Sequence, residues 1–274
     1  MAEPHPHILL TGASGGIGAA TAEALAARGC RLTLVARDPA RLRRLADRLA
    51  PRAAGTAVIA ADLGAAGVAS RVISQATELQ GGIDVLVNCA GVNDFGRFSF
   101  AAPERIEALI ATNLLAPIQL CRAALPGMLA RGRGRIVNVG SVMGGVGFAG
   151  FGVYCASKFG LRGFSEALRR ELKGSGVSIA YVAPRYTRTP LNTVAMDRMA
   201  RAVRMNTDPP ETAAGAIAAA VFGSKTEHTI GAVERLLVRL NGLLPGVVDR
   251  FLATLNRRML DHADEAGGIV ERRA

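Results

Sequence analysis

Thr11-Gly12-Ala13-Ser14-Gly15-Gly16-Ile17-Gly18 follows a short apolar run, Ile8–Thr11, and leads into a helical pattern at 17–28. Glycines between a strand and a helix permit a tight turn and let a phosphate group approach the backbone. The helix N-terminus adds unpaired N–H groups and the positive end of a dipole. The spacing fits both Gly-x-x-x-Gly-x-Gly (12, 16, 18) and Gly-x-x-Gly-x-x-Gly (12, 15, 18), so it does not choose between related families. The candidate phosphate cradle is Gly12, Ser14, Gly16, Ile17 and Gly18.

Beyond this turn the same strand-then-helix alternation continues. Strands are expected at Ile8–Thr11, Leu32–Ala36, Ala57–Ala60, Val85–Val87, Arg135–Val139 and Ser178–Val182. Helical patterns lie at about 17–28, 39–49, 66–79, 104–130 and 153–173. Continuous apolar strands separated by helices predict a parallel sheet covered on both faces. Right-handed crossovers then give an α/β, doubly wound (Rossmann) fold. Residues 1–225 read as one dinucleotide-binding and catalytic domain, and 226–274 as an amphipathic helical C-terminal extension.

Composition narrows the classes. The 274 residues are 50% hydrophobic, which supports a substantial core and excludes intrinsic disorder and a small disulfide-stapled domain. Aromatic residues are 4% and Trp is absent, which argues against a stacking platform for nucleobases. None of Cys30, Cys89, Cys121 and Cys155 forms a Cys-x-x-Cys pair, so no metal clip and reduced thiols are expected. The net charge of +11 is carried almost entirely by Arg. A basic surface attracts nucleic acid, anionic lipid or a phosphorylated cofactor. The charge is dispersed, and its dense run, Arg37–Arg52, has helical spacing, so nucleic-acid binding is not expected. Met1–His7 shows no signal-peptide pattern, and a cytoplasmic location is expected. Residues 136–157 lack charge over a length that would cross a bilayer, but their glycines make a poor isolated helix. They read as a buried strand followed by an active-site loop.

The end of the second strand, Val35-Ala36-Arg37-Asp38, bears on the cofactor. An acidic residue there binds a ribose 2′-hydroxyl, whereas a basic one accommodates a 2′-phosphate. Arg37 occupies the strand end, and Arg41 stands one helical turn on. Guanidinium against phosphate is a strong charge-assisted pair, which favours NADP(H).

Tyr154 and Lys158 are four residues apart and share a face if helical. An ammonium near a phenol lowers the phenol pKa from its usual value of about 10. The phenol then serves as acid in a reduction and as base in an oxidation. Ser141, just beyond the fifth strand, stands at a carboxyl end of the sheet, where a hydroxyl can hydrogen-bond a substrate carbonyl.

With these motifs in order, the chain resembles the short-chain dehydrogenase/reductase family over about residues 5–225. Thr11–Gly18 resembles the family's glycine motif, and Asp62-Leu63 its acidic pair beside the adenine. Asn88-Cys89-Ala90-Gly91 is similar to Asn-Asn-Ala-Gly, with Cys89 as a departure. Asn113, Ser141, Tyr154 and Lys158 match the catalytic tetrad. The resemblance implies that Tyr154 donates a proton to the carbonyl oxygen and that Ser141 orients it. Lys158 would lower the Tyr154 pKa and hold the nicotinamide ribose, and Asn113 would support a water linking Lys158 to solvent. Read without the family, Asn113 is a polar residue of a helix. After the sixth strand the family's Pro-Gly becomes Pro184-Arg185, followed by Thr187 as carboxamide contact and Thr189 as a second candidate. Arg185 either meets an acidic substrate or points to water.

The lid segment 185–210 carries Met196, Met199 and Val203 at helical spacing, as an adaptable pocket lining or as ordinary core. Phe148 and Phe151 are better placed to touch substrate, which suits a hydrophobic ketone or a 3-oxoacyl group. In the extension, Val247, Val248, Phe251, Leu252, Leu255 and Met259 recur at helical spacing. That stripe covers the body, meets a sister subunit or lies on a membrane surface. The expected activity is an NADP(H)-dependent reductase of a small-molecule carbonyl, acting as a homo-oligomer, with peripheral membrane contact through the C-terminal helix as a further reading. A nucleotide-sugar epimerase or dehydratase and a catalytically silent NADP-binding sensor or scaffold are the alternatives. The first lacks its larger substrate domain in this chain; the second conflicts with the retained Ser141, Tyr154 and Lys158.

Overall fold

A computed structural model describes the backbone of residues 5–271 and the side chains of residues 5–263. The order is β1 (His7–Thr11), α1 (Gly16–Ala26), β2 (Arg31–Ala36), α2 (Pro39–Leu49), β3 (Gly55–Ala60), α3 (Val68–Gln80) and β4 (Val85–Asn88). It continues with α4 (Pro103–Ile110), α5 (Ala116–Ala130), β5 (Gly134–Val139), α6 (Gly152–Glu171) and β6 (Val177–Ala183). Then come α7 (Val194–Ala202), α8 (Pro210–Phe222), β7 (Glu227–Thr229), α9 (Ala232–Leu243) and α10 (Pro245–Glu271). Among the described residues seven strands run parallel in the order β3-β2-β1-β4-β5-β6-β7. The order reverses between β1 and β4, which opens a crevice at their carboxyl ends.

Strand alternation builds two core layers. Ile8, Leu10, Leu32 and Leu34 face α1, α2 and α8, while Leu9, Val35, Leu86 and Ile136 face α3, α5 and α6. Leu9 and Leu10 are fully buried, each contributing about 1.5–3 kcal/mol by leaving water. In α2 the pattern is one-sided. Asp38 caps the helix, Pro39 opens it, and Leu42, Leu45 and Leu49 turn inward. Arg41, Arg43, Arg44 and Arg48 turn to solvent, which accounts for the dense basic run. Pro103–Ala130 is apolar enough to cross a membrane by composition, but here it lies on the sheet and buries Leu120, Cys121 and Met128.

Two features correct the sequence reading. The sheet's seventh strand, Glu227–Thr229, pairs with β6 although it lies beyond residue 225. Three residues are too few to show a period, so sequence reading places them in the extension. The expected single stripe of α10 is also split. Val248, Leu252 and Met259 are buried, while Val247 and Phe251 are exposed. The buried side packs with Val142, Val146 and Val238 near the sheet and with Met196 and Met199 of α7.

Candidate active site at the carboxyl ends of the strands

The turn after β1 is glycine-dependent. Gly12 has φ +68°, and a Cβ there would come within 2.7 Å of the Ala90 Cα. A Cβ on Gly18 would collide with the Gly12 carbonyl, so α1 starts hard against the turn. Thr11 ties this turn to the next loop. Its hydroxyl accepts from the N–H groups of Cys89 (3.0 Å) and Ala90 (3.1 Å) and donates to the Val87 carbonyl (3.3 Å). The result is a cleft of about 330 Å³. Ser14, Gly16 and Ile17 line it beside the glycines; Arg37, Asp38 and Arg41 close its β2 side; Asp62 and Leu63 follow β3.

Asp38 is occupied as a helix cap, accepting from the N–H groups of Ala40 (2.9 Å) and Arg41 (3.0 Å), with its carboxyl held below the ordinary range chiefly by the Arg41 N–H. Arg37 is exposed on the cleft wall with no such assignment. Asn88 departs from expectation. It is buried, its amide donates to Asn138 Oδ1 at 2.9 Å, and its side chain is absent from the cleft wall. Asn88 and Asn138 are register partners on β4 and β5, and their side chains therefore meet within the sheet rather than at its rim. Cys89, Ala90 and Gly91 line the cleft instead.

Tyr154 and Lys158 lie one turn apart on α6. Lys158 is buried, donates to the Val139 carbonyl at 3.1 Å, and places its Nζ 5.7 Å from the Tyr154 ring centre. Burial draws the Lys158 ammonium down to about 8 and pushes the Tyr154 phenol up to about 12. The rise at Tyr154, whose largest cause is desolvation, runs opposite to the lowering by Lys158 that the sequence spacing predicts. A hydrogen bond from Ser141 opposes the rise at Tyr154. Ser141 caps the turn Val142–Gly144, with its Oγ accepting from the Met143 N–H at 3.1 Å.

Asn113 sits in a π-type widening, Ala111–Leu115, between α4 and α5. Its Oδ1 accepts from Val92 N–H and its amide donates to Val92 O, both at 2.8 Å, and to Ser157 Oγ at 3.2 Å. Both amide protons are thereby used. The side chain latches the loop after β4 to α6, and does not line the cleft.

A second cavity, of about 320 Å³, adjoins the first. Its walls include Met143, Phe148, Phe151, Val203, Met205 and Leu255. Met196 and Met199 are core residues packed on α10 and do not line it. Ser141, Pro184 and Thr187 face this cavity, whereas Thr189 and Tyr154 line both. The Thr187 hydroxyl is engaged locally, donating to the Arg185 carbonyl at 2.9 Å. Arg185 neither meets open solvent alone nor stands free for a substrate. Its guanidinium grips both Asp208 oxygens (2.8 and 2.7 Å) and reaches Glu234 (3.3 Å), joining the base of the lid to α9.

Several contributors carry no sequence motif. Tyr181 of β6 accepts from the Ser141 N–H and donates to the Ser141 carbonyl, both at 3.3 Å. A Cβ on Gly140 would overlap the Tyr181 ring, so that glycine admits the tyrosine. Asn241 of α9 donates to the Gly145 carbonyl at 3.0 Å, and Asn256 of α10 accepts from the Ala149 N–H at 3.1 Å. The two C-terminal helices therefore brace the loop between Ser141 and Tyr154. A buried Tyr between strand residues and an Asn on a helix look structural in sequence; nothing in their spacing marks them.

This geometry has counterparts. The family model for short chain dehydrogenase matches residues 6–200. Ketoacyl reductase HetN of Nostoc sp. is 36% identical over 251 residues, covering 89% of this chain and 86% of that protein. A short-chain dehydrogenase from Streptomyces avermitilis superposes with a TM-score of 0.78 at 29% identity, covering 94% of this chain and 99% of that one. A short-chain dehydrogenase from Sphingobium yanoikuyae in complex with NADPH gives a TM-score of 0.76 at 32% identity, covering 89% and 95%. Sheet order, glycine turn and matched length agree, and the chain belongs to the short-chain dehydrogenase/reductase family.

Proposed function

We propose that the protein is an NADP(H)-dependent oxidoreductase that reduces a hydrophobic ketone, of 3-oxoacyl type, to a secondary alcohol. One observation carries the reading: Tyr154 stands where the glycine-walled cleft meets the apolar cavity, hydrogen-bonded to Ser141. The NADPH bound by the Sphingobium relative and the name of the Nostoc relative, a ketoacyl reductase, agree with it.

The cleft suits the cofactor because Gly12 and Gly18, where a Cβ would strike the Ala90 backbone and the Gly12 carbonyl, let the β1 turn close tightly and set the α1 N-terminus at the cleft wall, where a pyrophosphate would lie. Arg37, with Arg41, would hold the 2′-phosphate, since Asp38 is committed to capping α2. Asp62 and Leu63 would flank the adenine, Ala90 and Gly91 the adjoining ribose, and Lys158 the nicotinamide ribose hydroxyls. Pro184, Thr187 and Thr189 are the candidates beside the carboxamide. When bound, NADPH supplies a hydride to the carbonyl carbon.

The chain's own groups handle the oxygen. Ser141 accepts from Met143, which aims its single proton at Tyr154 and the reacting oxygen. Tyr154, neutral because burial holds it near 12, keeps its proton until the carbonyl oxygen gains negative charge, then donates it. The buried Lys158 charge and the Ser141 hydroxyl stabilise the phenolate that remains. Tyr181 and Asn113 hold Ser141 and α6 in place. The test is NADPH consumption with a panel of 3-oxoacyl thioesters, long-chain ketones and small sugars. Turnover confined to the apolar ketones is expected, and turnover of sugars alone would overturn the reading.

A further inference from the structure

The C-terminal helices leave an apolar face bare. On α9, Val233, Leu236, Leu240 and Leu243 recur at three- and four-residue spacing and are all exposed, Leu243 to 77%. Leu244, between the two helices, and Val247 and Phe251 of α10 continue the row, with Phe251 also 77% exposed. Together they present on the order of several hundred Å², as much as a soluble monomer's largest apolar patch. The opposite sides of both helices are already satisfied against the body through Val238, Val248 and Leu252.

Two observations say what covers this face. The first is charge. The exposed cations of residues 232–263 are Arg235, Arg239, Arg250, Arg257 and Arg258, whereas the exposed acids are Asp249 and Asp261. By helical spacing Arg239 flanks the α9 row and Arg250, Arg257 and Arg258 border the α10 row, with Asp261 one turn beyond Arg258, so arginine outnumbers acid along the face. Glu234 is taken by Arg185. A second copy docked through a two-fold axis would bring arginine fringes together, at a repulsive cost; an anionic surface pairs them. The second observation is position. Val233 and Phe251 belong to the exposed row and also line the apolar cavity that ends at Tyr154. The row is therefore the cavity's rim.

We infer that α9 and α10 form a docking face for an anionic lipid bilayer, through which an acyl-chain ketone passes from the membrane into the cavity. The docking half stands on the exposed row and its charge; the delivery half rests on the reductase reading above. An amphipathic face of this kind lies in the headgroup region with its apolar side chains inserted and its arginines among lipid phosphates. A long alkyl chain would then enter the cavity with little exposure to water.

The test uses the full chain and a Leu236→Gln/Leu243→Gln/Val247→Gln variant; none of these three side chains lines the cavity and all are exposed, so folding is preserved. Co-sedimentation is measured with phosphatidylcholine vesicles and with vesicles carrying about one-third phosphatidylglycerol. The parent chain should bind the anionic vesicles at least about tenfold better than the neutral ones, and the variant should lose about tenfold of that binding. The variant should keep the parent's NADPH-dependent rate on a short, water-soluble ketone but lose rate on a long-chain ketone presented in vesicles. A parent chain that ignores anionic vesicles, or a variant that binds them equally, overturns the docking face. So does a halved mass of the variant by light scattering without parent vesicle binding, which would make the face a subunit contact. Vesicle binding without turnover of any ketone would leave docking standing and remove the reductase reading and the delivery that rests on it.

Discussion

The cleft and the cavity differ in what they are made of. The cleft comes largely from the loops at the ends of β1, β2, β3 and β4, closed by the end of β5, by Tyr154 and Lys158 and by residues 189–191, and much of its wall is backbone and glycine. The cavity is walled mostly by side chains from three distant stretches, 141–154, 184–206 and 233–255, with Ile17 and Asn93 at its edge toward the cleft loops. Backbone walls recognise what is common to a cofactor, because every peptide offers the same N–H group. Side-chain walls recognise what is particular to a substrate. Changes on the cleft side should therefore alter cofactor choice, and changes on the cavity side should alter substrate handling, with Tyr154 the point where both meet.

The sharpest test of that division is Tyr154→Phe. Its kcat should fall on the order of a thousandfold, the loss expected for a positioned proton donor. The NADPH Kd, read by fluorescence titration, should stay within about twofold because the hydroxyl is not part of the cradle. A large loss of cofactor affinity would mean that the two regions are not separable at their seam.

Next in size is Arg37→Asp. Loss of a charge-assisted phosphate contact and gain of a repelling carboxylate should lower the NADPH-to-NADH ratio of kcat/KM on the order of a hundredfold. Its KM for the ketone should not move. An unchanged ratio would identify Arg37 as a bystander on the cleft wall.

The pH profile should show an effect of about tenfold per unit. Lys158 is charged below about 8 and neutral above, while Tyr154 keeps its proton to about 12. The value of kcat/KM for NADPH, which reports the cofactor-free protein, should be level up to about 8 and decline above it. A profile level to pH 10 would show that binding and turnover do not need the Lys158 charge.

The smallest expected effect is that of Arg185→Ala. Asp208 would be left buried without its cation, and the lid base would lose its tie to α9. The ketone KM should rise a few-fold, and Tm should drop by about 2–4 °C. NADPH affinity should be unaffected. Equal losses on both sides would show that the clamp supports the whole fold rather than the substrate half.

The alternating strands, the glycine turn and the Tyr154–Lys158 face are legible from the order of residues alone. Each depends on a local period or on the conformational freedom of one residue type. Tertiary structure decided what those residues face. Asn88 matches a motif that suggests cofactor contact, yet its strand register turns it to Asn138 inside the sheet. Asp38 and Arg37 are adjacent, yet a helix cap claims one and leaves the other at the cleft. Arg185 reads as a loose cation until Asp208 and Glu234, far along the chain, arrive beside it. Tyr181, Asn241 and Asn256 have no signature at all, because their partners are backbone groups of a loop that only folding brings near. The α10 stripe shows the same limit: periodicity marks apolar positions on a helix, but which of them the body covers depends on where that helix lands.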